Sequence, residues 1–185
     1  MIGSYQYMLV LVDDHSRFIS VRFLTHKSEA LTELRSYVAE LNALVNSTLA
    51  EPRQIIGTLH TDNAGEFLSR DFTEFLDQQL IAQTTCPPHV HSLNGVAERA
   101  IRAVVENMRS TMVAGNVPVA FWNYLATHST DVLNRTGGPP GSTSTAYEIL
   151  TGEKPKVLGI WPVGCRAFPV RPRSAYSKTL IDPHA

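Results

Sequence analysis

Asp62 and Glu98 are the residues whose settings suit chemistry. Asp62 sits in Thr61-Asp62-Asn63-Ala64-Gly65, a run of strand-exit turn residues that follows Gln54 to His60, which reads as a short buried strand. Glu98 falls in the first turn of a helix that starts at Gly95, with Asn94 a good N-cap. Phosphoryl transfer to or within DNA uses two divalent cations a few ångströms apart. Hard Mg²⁺ or Mn²⁺ takes carboxylate oxygens that bridge metals and leave room for phosphates, so two or three converging acids are the minimum equipment. The helix of Glu98 would have to pack across the strand of Asp62; 98 less 62 is 36, so 35 residues intervene. Taken singly, each acid has a plainer role. Asp62 caps a turn, and Glu98 favours a helix N-terminus and pairs with Arg102 four residues on.

The elements that must position these acids follow from hydrophobic spacing. Tyr5 to Val12 and Arg17 to Leu24 flank the turn residues Asp13-Asp14-His15-Ser16 and predict a hairpin, with Ile19, Val21 and Phe23 alternating against Phe18, Ser20 and Arg22. Ser28 can cap a helix to about Asn46 that buries Leu31, Leu34, Val38, Leu41 and Val45. Ser69 can cap a second helix with Phe72, Phe75, Leu76 and Leu80 inward, and Ile81 to Thr85 is a short strand. A loop with Pro87, Pro88, His89 and His91 leads to the long Gly95 helix, whose Val96, Ile101, Val104, Val105, Met108 and Met112 share a face. Pro118 opens a helix to about Leu133, with Phe121 and Trp122 in the core. Gly137 to Ser144 breaks the pattern and divides the chain into residues 1–136 and 137–185. The second part holds a helical turn from Ala146 to Thr151, with Gly152 as its C-cap, and a strand near Cys165 to Val170.

Composition sets outer bounds. At 185 residues, 43% hydrophobic and 18% charged, the chain can bury a real core. A formal charge of −1 means that any DNA contact comes from local patches or bound metal. Arg99, Arg102 and Arg109 share one helix face and suit phosphate contact, or equally pair with Glu98 or Glu106. Two cysteines, Cys86 and Cys165, exclude a disulfide framework and a Cys-based zinc site. The longest early apolar run, Tyr7 to Val12, is too short to span a bilayer, and the chain reads as soluble and unexported, with no membrane partner.

The words Thr61-Asp62-Asn63-Ala64-Gly65-Glu66-Phe67 and Asn94-Gly95-Val96-Ala97-Glu98-Arg99 resemble the second and third acid motifs of integrase catalytic cores of copia-type retrotransposons, where 35 residues also separate the two acids. Tyr7 to Arg17, Phe121-Trp122, Thr145-Ala146-Tyr147-Glu148, Thr151-Gly152-Glu153-Lys154-Pro155 and Val163-Gly164-Cys165 extend the likeness over nearly the whole chain. The resemblance implies an α/β, ribonuclease-H-like mixed sheet flanked by helices. It also implies 3′-end processing and strand transfer by metal-dependent phosphoryl transfer. Asp62 and Glu98 are then the catalytic, metal-ligating acids for Mg²⁺ or Mn²⁺, and Asn94, Gly95, Arg99 and Arg102 the nucleic-acid contacts. The implied partners are element ends and target DNA and further copies of the chain, and the implied location is intracellular, in cytoplasm and nucleus.

In that family the first acid precedes the hairpin, on a central strand with a word like Asp-x-x-Gly-Pro. This chain is therefore expected to lack its first central strand and to be inactive as a fragment, with the flanking strands left with unpaired edges. Asp13 is expected to serve as a turn former instead. Ala64 stands where the family has Gly, and His91 and Ser92 where it has Pro and Gln. The rival reading is a non-catalytic module that binds nucleic acid or docks on an intact integrase.

Overall fold

The computed structural model describes residues 4–46, 55–85 and 95–166. Strand β1 (Tyr7–Val12) pairs antiparallel with β2 (Ile19–Leu24), Val12 opposite Ile19 and Tyr7 opposite Leu24. The expected turn joins them: the Asp13 carboxylate accepts from the Ser16 amide at 2.7 Å and from its hydroxyl at 2.6 Å. Arg17 adopts a positive φ of 62° there, so β2 starts two residues later than its composition suggests.

Helix α1 (Ala30–Asn46) is entered through a 3₁₀ turn at Lys27–Glu29, and Ser28 does not cap it. The Glu29 carboxylate accepts from the Thr25 amide at 2.8 Å, so the chain is tied down one turn earlier than a Ser28 cap would do it. Strand β3 (Thr58–Thr61) pairs in parallel with β4 (Ala82–Thr85), and α2 (Arg70–Gln78) connects them. Ser69 caps α2 by accepting from the Phe72 amide at 3.4 Å, and Phe72, Phe75 and Leu76 are buried at i, i+3 and i+4. Leu80 is not inward: the helix has ended, Leu80 takes a φ of 54°, and its side chain is 80% exposed.

Helix α3 (Gly95–Ala114) and α4 (Trp122–Thr136) pack on one face of the β1–β2 hairpin. Val10, Ile19 and Val21 meet Ala100, Val104 and Ala126 there. Pro118 precedes a 3₁₀ turn, Val119–Phe121, rather than the first turn of α4 itself. Trp122 is half-buried, edge-on to Phe23 at 5.3 Å, and Phe121 is half-buried beside Tyr124. Opposite, α1 and α2 form a second cluster around Leu34, Val38, Phe72 and Leu76, against which Leu11 of β1 and Leu59 of β3 both pack. Two helices thus bridge two sheets that share no ladder among the described residues. Burying a Leu or Phe side chain contributes about 1.5–3 kcal/mol, so these clusters carry the fold.

Helix α5 (Ala146–Thr151) folds back on the core. Thr145 caps it, Ala146 is buried, Leu150 joins the α1–α2 cluster, and Gly152 ends it in the expected left-handed conformation at φ 76°. Cys165 and Arg166 are not in a strand, and residues 167–170 of the expected strand lie outside the described residues. Among the described residues no helix is long and apolar enough to cross a membrane.

Candidate active site

Asp62 directly follows the last residue of β3, at the carboxyl edge of the β3–β4 pair. Its Oδ1 accepts from the Ala64 amide at 3.1 Å, the turn-capping role its position allows, and the carboxylate is solvent-exposed. The following 3₁₀ turn, Gly65–Phe67, is anchored from β4: the Gln83 side-chain amide donates to Thr61 Oγ1 at 3.2 Å and to the Phe67 carbonyl at 2.9 Å. Gln83 thus clamps the residue before Asp62 to the end of the turn after it. No motif singled it out, because its role depends on strand register rather than sequence spacing.

Asp62 lines a cavity of about 260 Å³ that also touches Glu66, Leu9 of β1, and Ala97 and Ile101 of α3. The fold therefore brings the first turn of α3 to the cavity of Asp62. Glu98 follows Ala97 directly and is exposed; the cavity wall is Ala97 and Ile101 rather than Glu98 itself. Glu66, which the sequence shows only as part of the Asp62 motif word, also lies on the cavity, four residues after Asp62. Arg99 folds back towards the helix start, since a Cβ on Gly95 would lie 3.3 Å from its Nη1. Arg99, Arg102 and Arg109 are exposed, and among the described residues no ion pair joins them to Glu98 or Glu106. Asn94, His89 and His91 lie outside the described residues.

A hard divalent cation needs oxygen donors, and Asp62 with Glu66 supplies the right donor type. The donor number falls short: among the described residues no three His, Cys, Asp or Glu side chains come together.

Helices packed against two two-stranded sheets, one antiparallel and one parallel, with an acid at a strand's carboxyl end, fit a ribonuclease-H-like α/β protein. Solved structures agree on this fold. A chain of the simian T-cell lymphotropic virus intasome in complex with PP2A regulatory subunit B56 gamma superposes with a TM-score of 0.61 at 20% identity, over 88% of this chain and 52% of that one. The HTLV-2 integrase catalytic core domain in complex with magnesium, in its dimeric form, gives 0.55 at 20% identity, over 77% of this chain and 83% of that one.

The integrase core domain model matches residues 2–91, a span that includes Asp62 and stops short of Glu98. The Retrovirus-related Pol polyprotein from transposon TNT 1-94 of Nicotiana tabacum is 28% identical over 177 residues, 96% of this chain and 13% of the polyprotein. The corresponding polyprotein from transposon RE2 of Arabidopsis thaliana is 29% identical over 170 residues, 91% of this chain and 11% of the polyprotein. The chain thus spans little more than a tenth of the length of these relatives. Residues 2–91, just under half of the chain, are similar to the integrase core domain.

Proposed function

We propose that this chain is the catalytic-core portion of a copia-type retrotransposon integrase, acting on element ends and target DNA inside the cell, and that by itself it is inactive. The observation that carries the reading is the shared cavity, on which Asp62 at the end of β3 meets the first turn of α3, the turn that holds Glu98. In this reading Asp62 and Glu98 hold Mg²⁺ or Mn²⁺. Bound metal supplies an activated hydroxyl and charge neutralisation at phosphorus, so no side chain is needed as general base. Arg99 and Arg102, with Asn94 and Gly95, hold the DNA backbone alongside. The division at residue 137 into core and C-terminal extension, and assembly with further copies, belong to the same reading.

The shortage of converging ligands among the described residues is what favours inactivity. Given Mn²⁺ and a labelled duplex ending in element sequence, the purified chain is expected to yield neither trimmed 3′ ends nor strand-transfer product. Detectable product would overturn the inactivity. Metal placement has a separate test. Paramagnetic broadening of amide signals on Mn²⁺ titration is expected around Asp62 and Glu98 and is expected to vanish in Asp62→Asn. Broadening centred elsewhere, or none, would remove the metal-ligand role. The non-catalytic module is the second reading, favoured by the same shortage of ligands; metal-independent DNA binding without broadening at Asp62 would support it.

A further inference from the structure

We infer that residues 154–166 form a binding strip for single-stranded nucleic acid, separate from the cavity of Asp62. Charge is divided unevenly along the chain. Residues 152–185 hold Lys154, Lys156, Arg166, Arg171, Arg173 and Lys178 against Glu153 and Asp182, six less two, a surplus of four. With −1 overall, residues 1–151 therefore carry −5. The basic surplus that the whole chain lacks is gathered after α5, and a local surplus of this kind attracts phosphates.

The described part of this segment, residues 152–166, is tied to the core at two points. Near its start, the Arg135 guanidinium donates to the Lys156 carbonyl at 2.8 Å, with the Asp131 carboxylate 2.8 Å from its Nε. Near its end, Gly164 lies against Gly115, which follows α3. A Cβ on Gly164 would fall 2.5 Å from the Gly115 carbonyl oxygen, and one on Gly115 would fall 2.7 Å from the Val163 carbonyl oxygen, so neither position has room for a side chain. Gly164 also takes a φ of 82° in a turn closed by the Cys165 amide, which donates to the Pro162 carbonyl at 3.2 Å. An earlier turn is closed by the Ile160 amide, which donates to the Val157 carbonyl at 3.2 Å. The segment thus runs, with a defined backbone, from the last turn of α4 back to the connection between α3 and α4.

Between these anchors Ile160 and Val163 are half-buried, whereas Leu158 is 96% and Trp161 74% exposed. A backbone fixed at two points therefore holds a large ring out in solvent, an apolar surface without a partner. Lys154 and Lys156 before it and Arg166 after it are exposed too, and among the described residues no ion pair joins them to a carboxylate. Cations on both sides of an exposed indole fit an unpaired strand: phosphates take the Lys and Arg groups, and each base offers a π-face to stack on the ring. A duplex keeps its bases stacked on one another, and an acidic peptide brings charge without such a face. The ligand is thus single-stranded DNA or RNA, held through its backbone and stacked bases.

The test uses the whole chain and a labelled oligo-dT strand, without divalent metal. On binding, the indole N–H signal of Trp161, assigned by its loss in Trp161→Phe, is expected to shift while that of half-buried Trp122 stays in place. Trp161→Ala is expected to weaken binding about tenfold or more, and Trp161→Phe to restore most of it. Lys156→Gln is expected to make the slope of log affinity against log salt shallower by about 0.7. All three substitutions fall at exposed positions, where the fold persists. An unmoved Trp161 signal, an affinity unchanged in Trp161→Ala, or equal affinity for a blunt duplex would each overturn the proposal. Displacement of the strand by an equal concentration of polyglutamate would assign the strip to an acidic protein and overturn it too. The readout involves neither metal nor Asp62 and Glu98, so failure leaves the integrase reading untouched.

Discussion

Asp62 and Tyr37 show how differently two residues use their surroundings. Asp62 is exposed and hydrogen-bonds only locally, so its value lies in where β3 ends. Tyr37 on α1 is buried, beside the Ser20 hydroxyl and with the Arg22 guanidinium 5.8 Å from its ring centre. Burial pushes its phenol from 10.0 up to about 12; the Asp13 carboxylate adds to the rise, and Arg22 and Ser20 oppose it. A raised pKa means that the folded state disfavours the phenolate. The associated stability is intact below pH 10 and is lost as pH climbs through about 12. Urea titrations across that window are expected to show a loss on the order of 3 kcal/mol that is absent in Tyr37→Phe. An identical alkaline slope in the variant would rule Tyr37 out as its source.

At the scale of elements, the molecule depends on long-range ties between short strands and helices. Asn134 sits near the end of α4, 5% exposed, and pairs both ways with the backbone of Ile19 at the start of β2. Its carboxamide acts as a short piece of strand edge, which fixes α4 over the hairpin. Asn134→Ala strips two partners from a buried peptide group and is expected to lower stability by about 1–3 kcal/mol, read as a shift in denaturant midpoint. Asn134→Asp keeps the acceptor and loses the donor, so it is expected to retain the bond from the Ile19 amide and leave the Ile19 carbonyl unpaired. A midpoint unmoved by Asn134→Ala would mean that water replaces the amide without loss.

For the molecule as a whole, a formal charge of −1 sets the terms of the proposed DNA binding. Arg99, Arg102 and Arg109 line one exposed side of α3 and form the local basic strip. If these three meet phosphates, log affinity against log salt falls with a slope of about −3, and Arg102→Ala makes the slope shallower by about 1. Fluorescence anisotropy across a salt series reads both values. A slope near zero, or one that Arg102→Ala leaves alone, would remove the strip from the DNA contact. The segment after residue 137 also belongs to this scale: Ala146 and Leu150 pack on the core, and Arg135 lies 5.9 Å from the Tyr147 ring centre.

The amino-acid sequence alone determined the order and kind of the elements, because periodicity, caps and turn residues are local. The Asp13 turn, the Ser69 and Gly152 caps and the buried row of α2 were all legible that way. The acid words and their spacing also carry a resemblance to integrase cores that needs no coordinates. Tertiary structure decided what depends on partners far along the chain. It ended α2 before Leu80, replaced a Ser28 cap by the Glu29 bond to Thr25, and left Ile101 lining a cavity rather than buried in a core. It also supplied Gln83 as the clamp behind Asp62 and Asn134 as the lock on β2. Such roles arise from strand register and helix packing, which join residues up to 115 positions apart and leave no periodic trace in either segment.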